Sequence, residues 1–90
     1  MNKIEQLETY LLNEGKIEKL QDEIDLIETE LETVGKSIKI AEQTNAAEEY
    51  IDYLAVSYNK LNKKRIELAL QKNKLEKDAL IFEYSSQNSD

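Results

Sequence analysis

This chain of 90 residues reads as all-α: a long antiparallel helical hairpin of coiled-coil type that dimerises into a four-helix bundle. Composition is one ground for that expectation. No Pro, two Gly and 34% charged residues remove the main obstacles to long helix interiors. Periodicity is another. Ile17, Leu20, Ile24, Ile27, Leu31, Val34, Ile38 and Ala41 step by three and four, while Leu54, Leu61, Leu68, Leu75 and Phe82 recur every seven residues. Charge agrees, because residues 16–34 hold seven acids and two bases whereas residues 60–77 hold seven bases and two acids. Two helices folded against each other would carry that pattern.

The first arm is expected over residues 3–43. Asn2 with Glu5 three residues on has the spacing of a helix-starting cap. Ile4, Leu7 and Leu11 run one residue out of phase with the seam that begins at Ile17, and Gly15 sits at the break. The region therefore reads either as a kink in one arm or as a short separate N-terminal helix folded back across it. The heptad lapses between Glu42 and Tyr50, so the turn is expected at Thr44 and Asn45, with Asn45 capping a second helix and Glu48 completing the cap.

The second arm is expected over residues 46–84, with Ile51, Tyr58 and Ala79 in the companion core column and Arg65 and Lys72 in its other two places. Residues 1–84 then form a single hairpin domain, and the polar stretch 85–90 is expected to fray. Folding about Thr44 and Asn45 sets Ile24 opposite Arg65, Tyr10 opposite Ala79 and Gly35 beside Ala55. Flanking charges follow: Glu23 and Glu30 can reach Lys64, and Lys16 can reach Asp78. Exposed pairs of this kind contribute well under about 1 kcal/mol each, so they select register more than they stabilise.

Absent residue types bound the chemistry. Without Cys there is no disulfide or thiolate, and without His the commonest metal ligand and neutral-pH proton carrier are gone. No catalytic residue, metal or cofactor is expected. A net charge of -7 argues against a general binder of nucleic acid or anionic membrane, and no apolar run approaches the roughly 18 residues of a membrane span. The N-terminus lacks the apolar core of a signal peptide, so a cytoplasmic location is expected.

Charged clusters have plain structural readings. Asp22, Glu23, Asp25 and Glu28 form a solvated helix face, and Lys63-Lys64-Arg65 answers the acidic arm opposite. Arg65 and Lys72 can lay their methylenes along the seam and carry their charge to its rim, where Glu23, Asp25 or Glu28 can receive it. Asn13 reads as a register-setting polar residue. Small helical-hairpin phosphatases that act on response regulators share this outline. Their marker, Ser-Gln-Glu-Leu-Asp on the second helix, has no counterpart in Leu54-Ala55-Val56-Ser57-Tyr58, so their activity is not implied.

An apolar remainder carries the functional expectation. Leu12, Leu26 and Ile40 lie off the seam at 14-residue spacing, Val56, Leu70 and Tyr84 repeat that spacing on the second arm, and Ile66 and Leu80 lie alongside. A two-helix coiled coil should be polar there. Leu26, Ile40, Tyr53, Val56, Ile66, Leu70, Leu80 and Tyr84 are therefore the expected interface residues, with Tyr50 and Tyr53 near the turn either anchoring a partner or packing half-buried. The expected partner is a second copy or a helix of another protein, through which a non-enzymatic adaptor, assembly chaperone or small regulator would act. A different class remains in view: an acidic inhibitor that occupies a basic or nucleic-acid-binding site.

Overall fold

Asn2 sets the start of the first helix, accepting a hydrogen bond from the Glu5 backbone N–H at 2.8 Å through its side-chain oxygen. That bond satisfies one of the donors a helix start leaves free. In the computed structural model, which describes residues 2–88 and side chains as far as residue 85, α1 then runs unbroken as Lys3–Gln43. Among the described residues there is no separate N-terminal helix. Gly15 stays helical with open space where a side chain would stand, so the phase slip of Ile4, Leu7 and Leu11 leaves them on the flank of a continuous rod.

α1 ends in a cap that the sequence reading assigned differently. Asn45 has φ 55°, the left-handed region that Asn tolerates better than most side chains, and its N–H donates to the Glu42 carbonyl at 3.3 Å. The Ala46 N–H donates back to the Ala41 carbonyl at 2.9 Å. These two bonds make a Schellman cap, with Asn45 closing α1 instead of opening α2. α2 begins two residues later than expected, as Glu48–Asn88, with the Ala47 carbonyl accepting its first bonds from Tyr50 and Ile51. The segment expected to fray from residue 85 is helical through Asn88, and residues 89 and 90 lie outside the described residues.

The longer connection moves the register. Tyr10 stacks on Phe82 where a two-residue turn would have set it opposite Ala79, and the nearest atom to a side chain added at Gly35 belongs to Tyr58 where Ala55 was expected. Both differ by three residues. Such a slip is easily accommodated because a step of three or four carries one core column into the other and keeps apolar against apolar. Ile24 accordingly shares a buried cluster with Leu68, Ile27 and Leu31, with Leu20, Leu61 and Ala69 packed beside it.

Two helices of 41 residues give an elongated hairpin of 67 × 17 × 14 Å. Its core is one seam thick. Ile24, Ile27, Leu31, Ala41, Leu54, Leu68 and Ala79 are buried, but none of the described large side chains is sealed completely from solvent. A lone pair of helices leaves every core residue within one side chain of water.

Candidate interaction surface

The seam divides the hairpin into two broad faces that can be told apart by their grooves. One groove is lined by Lys16, Lys19 and Glu23 of α1 with Gln71, Lys74 and Asp78 of α2, and is called here the lysine face. Opposite it run grooves lined by Glu28, Gly35 and Asn62 and, nearer the open end, by Glu14, Glu76, Leu80 and Glu83. These define the glutamate face.

Heptad columns then place each expected interface residue. Leu26 lies seven residues after Lys19, Ile40 fourteen beyond that, and Tyr53 three heptads before Lys74, so these three belong to the lysine face. Ile66 lies two heptads before Leu80 on the glutamate face, whereas Val56, Leu70 and Tyr84, each two residues after the seam residues Leu54, Leu68 and Phe82, lie on the outer side of α2 away from the seam. All eight are exposed, with Leu70 at 63%, Leu80 at 65% and Tyr84 at 71%. They do not form one patch.

Ile4, Leu7 and Leu11, whose phase slip read as a kink or a separate N-terminal helix, join the glutamate face. Leu7 stands one heptad before Glu14 and so continues the glutamate face toward the open end, with Ile4 and Leu11 one turn to either side. Their mismatch with the seam was the signal that would have identified them. On the lysine face Leu12 and Ile81 occupy the same level, one heptad from Lys19 and Lys74. Tyr50 and Tyr53 are both exposed beside the turn, which excludes the half-buried packing for this chain alone.

Charged groups resolve along each helix. Among the described residues the ion pairs are Lys36 with Glu32 at 3.1 Å and Lys72 with Glu76 at 3.5 Å, each one turn apart on its own helix. The expected pairs of Glu23 and Glu30 with Lys64 and of Lys16 with Asp78 are not closed, although Lys16 and Asp78 share a groove. Arg65 is half-buried as its core column demands, but it donates from Nε at 3.2 Å and Nη2 at 2.9 Å to Asn62 Oδ1 and not to an α1 acid. Asn62 sits one turn away on the same helix, so no cross-arm reach is needed.

Hydroxyl groups are similarly occupied. Thr29, Thr33 and Ser37 each donate to the carbonyl four residues earlier, at 3.1 Å, and Ser57 does the same to Tyr53 at 3.0 Å. Tyr10 is the titrating group whose surroundings act on it strongly enough to read. Its hydrogen bond to Glu83, then desolvation, then Glu14 nearby push the phenol pKa well up. That holds the proton more tightly, the opposite of what a nucleophile or base requires. Among the described residues no group of acidic side chains is arranged to hold a metal ion, and no helix is long and apolar enough to cross a membrane. No family model, no curated protein and no solved structure matches the chain.

Proposed function

We propose that this protein is a non-enzymatic protein–protein interaction module, an adaptor, assembly chaperone or small regulator, that associates through apolar side chains outside its own seam and first of all with a second copy. One observation carries the reading: Val56, Ile66, Leu70, Leu80 and Tyr84 remain exposed along the outside of α2 after the hairpin has closed its core. Burying each Leu or Ile would contribute roughly 1.5 to 3 kcal/mol, so a stripe of this length is sufficient to drive helix packing. Scattered exposed apolar residues are common; a row of them at helical spacing marks a contact surface.

Replacing Ile66 and Leu70 together by Glu tests it. The wild type should associate in sedimentation, nearly independently of salt, and the double variant should be monomeric with wild-type helicity by circular dichroism. Association that weakens steeply as salt rises would overturn this reading in favour of an acidic decoy for a basic site. Unfolding of the double variant would overturn it too, by assigning the stripe to the chain's own core.

A further inference from the structure

We infer that the second copy docks along the outer side of α2 about a twofold axis that crosses this helix at the level of residue 68, so that the two α2 helices lie antiparallel at the centre with an α1 on each outside. The inference deepens the self-association reading and rests on it. Its force comes from a stripe that complements itself. Where the outer side of α2 meets the glutamate face, positions from Asp52 to Tyr84 step by four and three, the spacing of a second helix seam. A helix packed antiparallel on its own copy pairs positions equidistant from the axis. About residue 68, Val56 meets the partner's Leu80 and Ile66 meets the partner's Leu70. All four are exposed in the single hairpin.

The polar members of the stripe agree with the same axis. Lys63 meets the partner's Asn73, Lys77 the partner's Asn59 and Tyr84 the partner's Asp52, so neither lysine of the stripe faces a base. On the flank toward the glutamate face Ala69 comes beside its own copy, Asn62 nears the partner's Glu76 and Ala55 the partner's Glu83. The glutamates there meet no acid. On the flank toward the lysine face Glu67 nears its own copy and Lys60 nears the partner's Lys74, at a rim where water and salt screen like charges. Residue 68 is also the midpoint of Glu48–Asn88, so the two helices overlap along their whole length. That contact is about 60 Å long and one helix, about 10 Å, wide, and removes about 1,200 Å² in all from water, the lower edge of standard interfaces.

Competing arrangements lose this match. Sliding one helix by a heptad puts Ile66 against a lysine in either direction, the partner's Lys77 or the partner's Lys63. Parallel helices would set Lys63 on the partner's Lys63 and Lys77 on the partner's Lys77. Rolling α2 toward the lysine face, at the same overlap, would set Lys63 against the partner's Lys74 and Lys60 against the partner's Lys77. The outermost column of α1, with Glu8, Gly15, Asp22, Thr29 and Lys36, presents no apolar side chain for Val56 and Leu70 to meet.

The chain has no Cys, so introduced thiols report this contact alone. Lys63→Cys mixed with Asn73→Cys should form an intermolecular disulfide, and neither variant should crosslink with itself, because like positions lie about 15 Å apart along the helices. A sedimenting dimer that fails to crosslink in the mixture, or that crosslinks as readily within each variant alone, would overturn the register while leaving self-association intact. A monomer at the highest concentration attainable would overturn the second-copy assignment, leaving a foreign helix as the partner. A change of charge tests the same layer without a thiol. Asn73→Asp, which sets a carboxylate against each copy's Lys63, should lower the dimer dissociation constant about fivefold, and Asn73→Lys should raise it by a similar factor. Equal effects of the two substitutions would overturn the pairing of Lys63 with the partner's Asn73.

Discussion

Tyr10 lies over Phe82 with ring centroids 4.7 Å apart and donates its phenol hydrogen to Glu83 Oε1 at 2.6 Å, fastening α1 to α2 near the open end. The bond requires the phenol to stay protonated, and the raised pKa of Tyr10 expresses that requirement. Because the folded value lies above the unfolded one, the stabilisation is complete below about pH 10, where an unfolded phenol still holds its proton. It fades only as pH climbs through the raised folded value. Alkaline titration followed by phenolate absorbance should therefore show Tyr10 ionising late. Glu83→Gln should bring that phase earlier, and an unchanged titration would mean the carboxylate is not what holds the proton.

Asn45 is the one described non-glycine residue with positive φ, at 55°. Asn45→Val should destabilise the hairpin by about 1 to 2 kcal/mol in chemical denaturation, since a β-branched side chain clashes in the left-handed region. Asn45→Gly should be neutral or mildly stabilising. Equal behaviour of the two variants would show that this residue does not hold the left-handed cap.

Gly15 lies inside α1 with nothing near the position of an added Cβ. Gly15→Ala should raise stability by about 0.5 to 1 kcal/mol through helix propensity alone. A loss on the same substitution would reveal a bend at this point that glycine is needed to permit.

Arg65 takes both of its contacts from Asn62, one turn back on its own helix. Arg65→Leu should leave thermal stability unchanged or raise it, because an apolar side chain in that core column removes the cost of holding a charge half out of water. A loss greater than about 2 kcal/mol would mean that the guanidinium also braces the seam beside Leu31 and Tyr58.

The hairpin, its two nearly equal arms and the Asn2 cap were legible in the sequence because each rests on local rules: spacing by three and four, few helix breakers, and a capping side chain. Register was not. Apolar columns alternate every three or four residues, so a slip of three preserves burial, and the turn decides between equivalent seams. The turn in turn depended on Asn45, whose side chain suits both a helix start and a left-handed helix end; only the backbone distinguishes these roles. Division of the exposed apolar residues between two faces was also hidden, since it depends on which flank of α2 accompanies which flank of α1. The phase slip at Ile4, Leu7 and Leu11 was visible, but its meaning depended on whether α1 continued through Gly15.

The Schellman turn also sets an order of events in time. Buried residues nearest it, Ala41 and Leu54, close a short loop, whereas the bond from Tyr10 to Glu83 joins groups 73 positions apart. Each doubling of a closing loop adds only about 0.6 kcal/mol of entropy cost, but direct closure at the far end would pay it before any intervening contact formed. Loop-closure cost alone therefore predicts collapse beginning at residues 41–54 and proceeding layer by layer toward the termini, each step closing little more than one additional turn. Opening runs the other way. Hydrogen exchange should be fastest in the terminal turns and slowest between Asn45 and the Ile24–Leu68 cluster.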